Sequence, residues 1–250
     1  MTWDRLRAQV RCQAPHLHQP LAVAAGLCAS CRGPASHGYA RCYQCNLHEE
    51  SAPGMLADAV VPISYALKGA RHAENLWRYK SGLDGAQAAQ AALRALLLVF
   101  LHDHGPCVWR QARIAAPTHL AVVPSGRGRP GIHPLRRLIG PYLALPWAGL
   151  APRPGEEPPA RDLAADGFQV SERLTGGAVL LMDDTWTSGG SIQSAAVALR
   201  RAGARSVAAV VLGRHFNTAD RDAGPLARSL AAGSFRLDRC AVHASTDKSG

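Results

Sequence analysis

The sequence predicts an α/β fold, a mostly parallel sheet with helices on both faces, with a small four-cysteine module ahead of it. Three observations carry this. Between residues 58 and 212 short apolar runs alternate with helix-like stretches, the order expected when parallel strands are joined by crossover helices. One apolar run, residues 179–182, leads into Asp183-Asp184 and then a turn rich in hydroxyls and glycine. Two Cys-x2-Cys pairs, separated by ten residues, stand before residue 50.

Taken in chain order, residues 1–50 read as an N-terminal arm and cysteine module, and 51–250 as the α/β domain. Within the module, Cys28-Ala29-Ser30-Cys31 and Cys42-Tyr43-Gln44-Cys45 bring four thiols at the spacing of a closed, structural zinc site. Gly26, Gly33, Pro34 and Gly38 supply tight turns, and too few apolar residues lie between 26 and 46 to build a core, so metal binding would supply most of the local folding free energy. Two disulfides are the competing reading; they require an oxidising compartment, to which nothing else in the chain points.

Residues 58–67 read as a strand with Pro62 near its start, 70–80 as a short helix and 85–102 as a longer one. A strand at 120–124 ends in a glycine-arginine turn, Ser125-Gly126-Arg127-Gly128-Arg129. Residues 131–143 read as helical, with Pro134 and Pro141 blurring the limits. The Pro- and Gly-rich stretch 144–161, carrying Glu156 and Glu157, reads as a mobile loop. The strand ending at Asp183 follows, then a helix over 190–202 and a strand over 206–212. No internal repeat is visible.

The turn after the Asp183 strand has a chemistry of its own. Its backbone N–H groups and the positive end of the following helix suit a phosphate, and Thr187, Ser188 and Ser191 add hydroxyl donors beside Gly189 and Gly190. Asp183 and Asp184 accept hydrogen bonds, so they suit vicinal sugar hydroxyls rather than phosphate. A buried strand ending in an ordinary capped turn is the plain alternative. In the earlier turn, Arg127 and Arg129 are candidates for bidentate phosphate contacts, against a merely solvated basic loop. Lys80, in Tyr79-Lys80-Ser81-Gly82, is a further candidate anion contact, equally explained as an exposed helix end with a glycine stop.

Composition narrows the class. The chain has 250 residues, 47% of them apolar, enough for one α/β domain and an appendage. The longest apolar run, residues 95–101, is too short to span a bilayer and has Arg94 beside it, so no membrane role and a cytoplasmic location are expected. Residues 21–27 imitate a short signal peptide, but Asp4 among the preceding basic residues and Leu27 at the would-be cleavage site argue against one. Twenty-eight Lys plus Arg against 18 Asp plus Glu give a formal charge of +10, which attracts polyanions at long range, though no aromatic-interleaved basic platform stands out. Cys12 with His16 and His18, and Cys240 with His243, have metal-like spacing but read as incidental half-sites; His102, His104 and His119 show no partner pattern, and Cys107 reads as a buried apolar residue.

The thirteen residues 179–191 resemble the PRPP-binding signature of type I phosphoribosyltransferases: four apolar residues, two acids, two variable positions, then Thr-Ser-Gly-x-Ser. With the four-cysteine knuckle, the Tyr-Lys-x-Gly segment and the Val-Pro strand with its arginine turn, the order and spacing over roughly residues 26–215 resemble the ComF family of phosphoribosyltransferase-like proteins. The resemblance implies a type I phosphoribosyltransferase-like domain. Asp183 and Asp184 would bind the ribose hydroxyls, residues 187–191 the 5′-phosphate, and Ser125, Gly126, Arg127 and Arg129 the pyrophosphate. It further implies PRPP with magnesium, structural zinc, an unknown small-molecule acceptor, and single-stranded DNA or a helicase-type protein as a partner. Arg127 and magnesium would share the leaving-group charge, and the 144–161 loop, with Arg153 and Arg161, would close over the site.

The chain departs from these patterns in informative places. ComF-like proteins commonly carry a more basic stretch and Gly-Phe-Asn-Gln after the Val-Pro strand, where this chain has Gly131-Ile132-His133-Pro134-Leu135, which weakens transfer of a DNA-uptake role. Purine salvage enzymes place an acid where Thr187 stands, and Thr187 cannot act as that general base, so hypoxanthine and guanine are not the expected acceptors. Trp186 is bulky for a variable position and reads as a core residue, with a wall of the acceptor pocket as the alternative.

Overall fold

A computed structural model describes residues 2–22, 26–125, 131–156, 161–218, 226, 230 and 233–242. Arg127, Arg129, Gly126, Glu157 and His243 lie outside the described residues. The chain divides into two compact units, one of residues 1–42, 61–107 and 212–250, the other of 43–60 and 108–211.

Among the described residues four strands form the main sheet: β1 (Ala59–Leu67), β2 (His119–Val122), β5 (Ala178–Trp186) and β6 (Ser206–Phe216), in the order β1-β6-β5-β2. β2 and β5 run parallel, with Val122 opposite Met182. β1 and β6 are also parallel: Asp58 N–H donates to Val207 C=O at one end and Lys68 N–H to Phe216 C=O at the other. The strands are apolar almost throughout and nearly every residue is buried, as a sheet covered on both faces requires. The α/β class and the mostly parallel sheet are therefore as expected. A two-stranded antiparallel piece, β3 (Leu150–Pro152) with β4 (Phe168–Val170), stands apart from it.

In the unit of residues 43–60 and 108–211, helix α6 (Gly190–Arg201) crosses from β5 toward β6 and buries Ile192, Ala195, Ala196 and Leu199. Asp58 ties the end of this arrangement: its carboxylate accepts from Arg200 at 2.6 Å and from the Val207 N–H at 2.7 Å. Helix α5 (Pro134–Ile139) is shorter than the expected 131–143. It starts late because the His133 ring caps the Leu135 N–H and Pro134 takes the first position; Pro141 then tightens Gly140–Tyr142 into a 3₁₀ turn.

Helix α4 (Ala86–Gln111), whose residues 86–107 belong to the other unit, extends nine residues beyond the expected end, through Pro106, because His104, Cys107 and Val108 continue its buried face. By length and mean hydropathy (1.2) it could cross a membrane, yet 67% of its most apolar stretch is buried in the protein, as in a core helix. Helix α3 (Arg71–Arg78) matches the expected short helix. β6 runs four residues past the expected Leu212 end. Gly213 is not a strand breaker but a close approach: a Cβ there would lie 3.0 Å from the Ala66 Cβ and closer to Leu76. Phe216 then joins Leu27, Tyr65, Leu226 and Leu230 in a buried cluster.

Two helices in the first fifty residues were not expected. In α1 (Trp3–Gln13), Leu6 and Val10 are buried, and Arg7 holds Asp103 of α4 at 2.5 Å. α2 (Tyr43–Ser51) begins inside the second cysteine pair. The expected loop at 144–161 is also partly ordered. Ala148 is buried and pairs with Leu120, and 150–152 form β3, a strand too short and proline-bound to show alternation in the sequence.

Candidate functional site

The turn between β5 and α6 forms a small concave site. Asp183, Thr185, Trp186, Thr187, Ser188, Gly189, Gly190, Ser191 and Ile192 line a cavity of about 100 Å³. That is small against the roughly 300–1,000 Å³ of a pocket enclosing a whole small ligand, and suits a single phosphate-sized group. α6 starts with no side-chain cap, so the donors of its first turn lie at the cavity beside the hydroxyls and glycines of the turn.

Both glycines are dictated by close packing. Gly189 has φ +93°, and any Cβ on it would strike the Trp186 ring. Gly190 has a different neighbour: a Cβ there would lie 2.5 Å from the Asp162 carbonyl oxygen and 2.6 Å from that of Arg161. The Arg161 carbonyl also accepts from the Ser188 hydroxyl at 2.6 Å, and Ser194 of α6 bonds both the Gly190 carbonyl and the Ala164 N–H. The segment from 161 to 166 is thus strapped along α6, with Arg161 and Asp162 against its start and Asp166 held at its end by Arg201 at 2.8 Å.

The two carboxylates are not equivalent. Successive strand side chains point to opposite faces. Asp183 lines the cavity and accepts from the Asp184 N–H at 2.8 Å, while Asp184 is 4% exposed and not among the lining residues. Trp186 is 1% exposed and packs beneath Gly189 while also lining the cavity, and its indole N–H is buried without a hydrogen-bond partner among the described residues.

Ser125 leaves β2 three residues after Val122, which pairs with Met182, so Ser125 and Asp183 emerge at the same end of adjacent parallel strands. This is the carboxyl edge at which open α/β sheets bind ligands. Lys80 belongs to the other unit, where its Nζ lies 5.5 Å over the Tyr79 ring. Arg153 pairs with Asp166 at 3.8 Å.

The cysteine module is assembled as its spacing requires. The four sulfurs of Cys28, Cys31, Cys42 and Cys45 all lie within 4.8 Å of one another. Cys31 and Cys42 are 3.9 Å apart, close to the roughly 3.8 Å edge of a tetrahedron with Zn–S bonds of about 2.3 Å. None of the seven cysteines is in a disulfide. The first knuckle turns on Cys28 N–H to Gly33 C=O at 2.8 Å and Arg32 N–H to Cys28 C=O at 3.0 Å, with Arg32 at φ 59°.

Within the unit that holds the cavity, Gln44 of α2 donates to Asp162 Oδ1 at 3.2 Å and lies 3.3 Å from His48 Nε2. Burial lowers the His48 pKa, with the nearby Asp162 charge acting against it. Gln44, Arg161, Asp162 and Ser194 carry no sequence signal for this role, since they act through backbone carbonyls or common polar contacts. Cys12 and His16 both border a different cavity of about 280 Å³ that also meets Arg71, His72 and Asn75, but with His18 they do not form a metal cluster.

No protein-family model matches the chain, and no curated protein matches it. Among solved structures, the crystal structure of purine phosphoribosyltransferase from Pyrococcus horikoshii Ot3 is similar over 51% of this chain and 90% of that one, with 11% identity and a TM-score of 0.29.

Proposed function

We propose that the chain binds PRPP with magnesium at the β5–α6 turn and transfers its phosphoribosyl group to a small-molecule acceptor, releasing pyrophosphate. The observation that carries this reading is the phosphate-sized cavity at the uncapped start of α6, with Asp183 on its rim and Gly189 and Gly190 packed too tightly for any side chain. The 5′-phosphate takes the donors of residues 187–191, and Asp183, with Asp184 behind it, orients the ribose. Ser125, Gly126, Arg127 and Arg129 receive the diphosphate as the C1–O bond breaks and charge develops on the leaving group. Bound with the diphosphate, magnesium supplies further charge neutralisation. Zinc in the four-cysteine module is structural, residues 1–50 forming the arm and module and 51–250 the catalytic domain. The reading is that of a ComF-like phosphoribosyltransferase of the cytoplasm, where thiols stay reduced.

Pyrophosphate release from PRPP across a panel of bases and amines tests it. Turnover by wild type that disappears in Asp183→Asn supports transfer, and no turnover with any acceptor counts against it.

A second reading, a non-catalytic nucleic-acid or protein-binding factor that keeps the pocket, draws on one observation. Tyr39 and Tyr43, each two residues from Arg41 in the chain, are 65% and 78% exposed, so each ring is open to solvent as a base-stacking side chain must be. Salt-sensitive binding of single-stranded DNA that survives Asp183→Asn and fails in Tyr39→Ala/Tyr43→Ala would favour it.

A further inference from the structure

A second set of metal-ligating side chains meets away from the cysteine module, built from residues with no part in the function proposed above. His104 and Cys107 stand three residues apart on one face of α4, and Cys240 arrives from residues 233–242, a stretch with no helix or strand. One ligand atom from each lies within 4.8 Å of the others, and the three residues are 5%, 6% and 4% exposed.

The histidine is already oriented. Its Nε2 lies 2.7 Å from the Leu237 carbonyl oxygen, so in the neutral ring Nε2 carries the proton and donates it there. The buried Nδ1 is then the nitrogen with the lone pair. A ligating histidine is commonly fixed in this way, by its second nitrogen donating to a carbonyl. The ring also packs 5.3 Å from that of Phe100, one turn earlier on α4.

We infer that His104, Cys107 and Cys240 form a second metal site for a borderline divalent cation, zinc above all. Two sulfurs and an imidazole are a zinc donor set, with a fourth position left for water. Binding exchanges two thiol protons for the cation: Zn²⁺ plus two thiols gives a neutral bis-thiolate centre and two released protons. No net charge is left in a buried place. The site staples the C-terminal stretch to α4. The same stretch is also tied by Arg236 N–H to the Gln19 side-chain oxygen at 3.0 Å, Gln19 to the Arg239 carbonyl at 3.3 Å, and Arg32 to the Ala241 carbonyl at 3.4 Å.

The test is zinc content per chain, by emission spectroscopy, of the full-length protein purified under reducing conditions, as wild type, Cys240→Ser, His104→Ala and Cys28→Ser. Two zinc ions in wild type, falling to one in Cys240→Ser and in His104→Ala with an unchanged circular dichroism spectrum, are expected. Cys107→Ser, close in volume to the native residue, replaces Cys240→Ser if the latter does not fold, and cobalt-loaded protein should then lose part of its thiolate-to-metal charge-transfer band. Equal zinc in wild type and the Cys240, His104 and Cys107 variants, or a Cys107–Cys240 disulfide in the freshly purified chain, would overturn the inference. Cys28→Ser reports on the other module alone, so the two sites succeed or fail separately.

Discussion

The Gln44 side-chain amide donates to Asp162 Oδ1 at 3.2 Å, and the backbone carbonyl of the same Asp162 occupies the space in which Gly190 would carry a Cβ. The helix that begins between Cys42 and Cys45 therefore braces the strap that presses on the start of α6. Removing metal from the four-cysteine module should free α2 and loosen that strap. Hydrogen exchange of the amides at 188–191, compared before and after strong chelation, should accelerate. Exchange unchanged by chelation would mean that α2 holds its place without metal.

The strap makes the two glycines separately testable. Gly190→Ala forces a methyl against two carbonyl oxygens and should cost about 1–3 kcal/mol by overpacking. Gly189→Ala adds a left-handed backbone penalty of about 1–2 kcal/mol to its collision with Trp186. Chemical denaturation of both variants checks this, and a stability within error of wild type for either would show that the turn relaxes freely.

Trp186 tests core packing against pocket lining. Trp186→Ala should cost about 3–5 kcal/mol, as for a large buried aromatic. Trp186→Phe also removes a buried N–H that has no partner among the described residues, so it should cost much less. If Trp186→Phe leaves stability nearly unchanged yet abolishes ligand binding, the indole belongs to the pocket and not to the core.

His72 makes the fold sensitive to acid. It is fully buried, its Nε2 lies 3.1 Å from the Leu212 carbonyl oxygen, and desolvation pushes its pKa down to about 4. Above pH 6.5 the ring is neutral folded and unfolded, so it does not affect the pH dependence. Between pH 6.5 and about 4 the unfolded chain takes up a proton that the folded chain refuses, and stability falls by roughly 3 kcal/mol in total. Urea denaturation across this range, with His72→Gln as comparison, should show a flatter profile in the variant. Parallel profiles would contradict the assignment.

Much of the site was legible because local chemistry writes it in consecutive residues. The run from Val179 to Ser191 sets strand, turn and helix by itself, and the two cysteine pairs announce their own cluster. What was hidden depends on contacts distant in sequence. Nothing in Arg161-Asp162 says that their carbonyls meet Gly190, and His104, Cys107 and Cys240 look incidental until α4 and the C-terminal stretch meet. The β3–β4 pair escaped because three-residue strands carry no periodicity. α4 outran its expected end because Pro106 on the exposed face does not stop a helix whose opposite face stays buried. Asp183 and Asp184 read as an equal pair, yet strand alternation turns them to opposite faces.

The central claim is a PRPP site at the β5–α6 turn. Isothermal titration of the zinc-loaded full chain with PRPP and magnesium, in wild type and in the Asp183→Asn/Asp184→Asn double variant, tests it most directly. The account predicts saturable binding in wild type that is lost in a variant of unchanged fold. A folded wild-type protein that gives no heat of binding, or a double variant that binds as well as wild type, would contradict it.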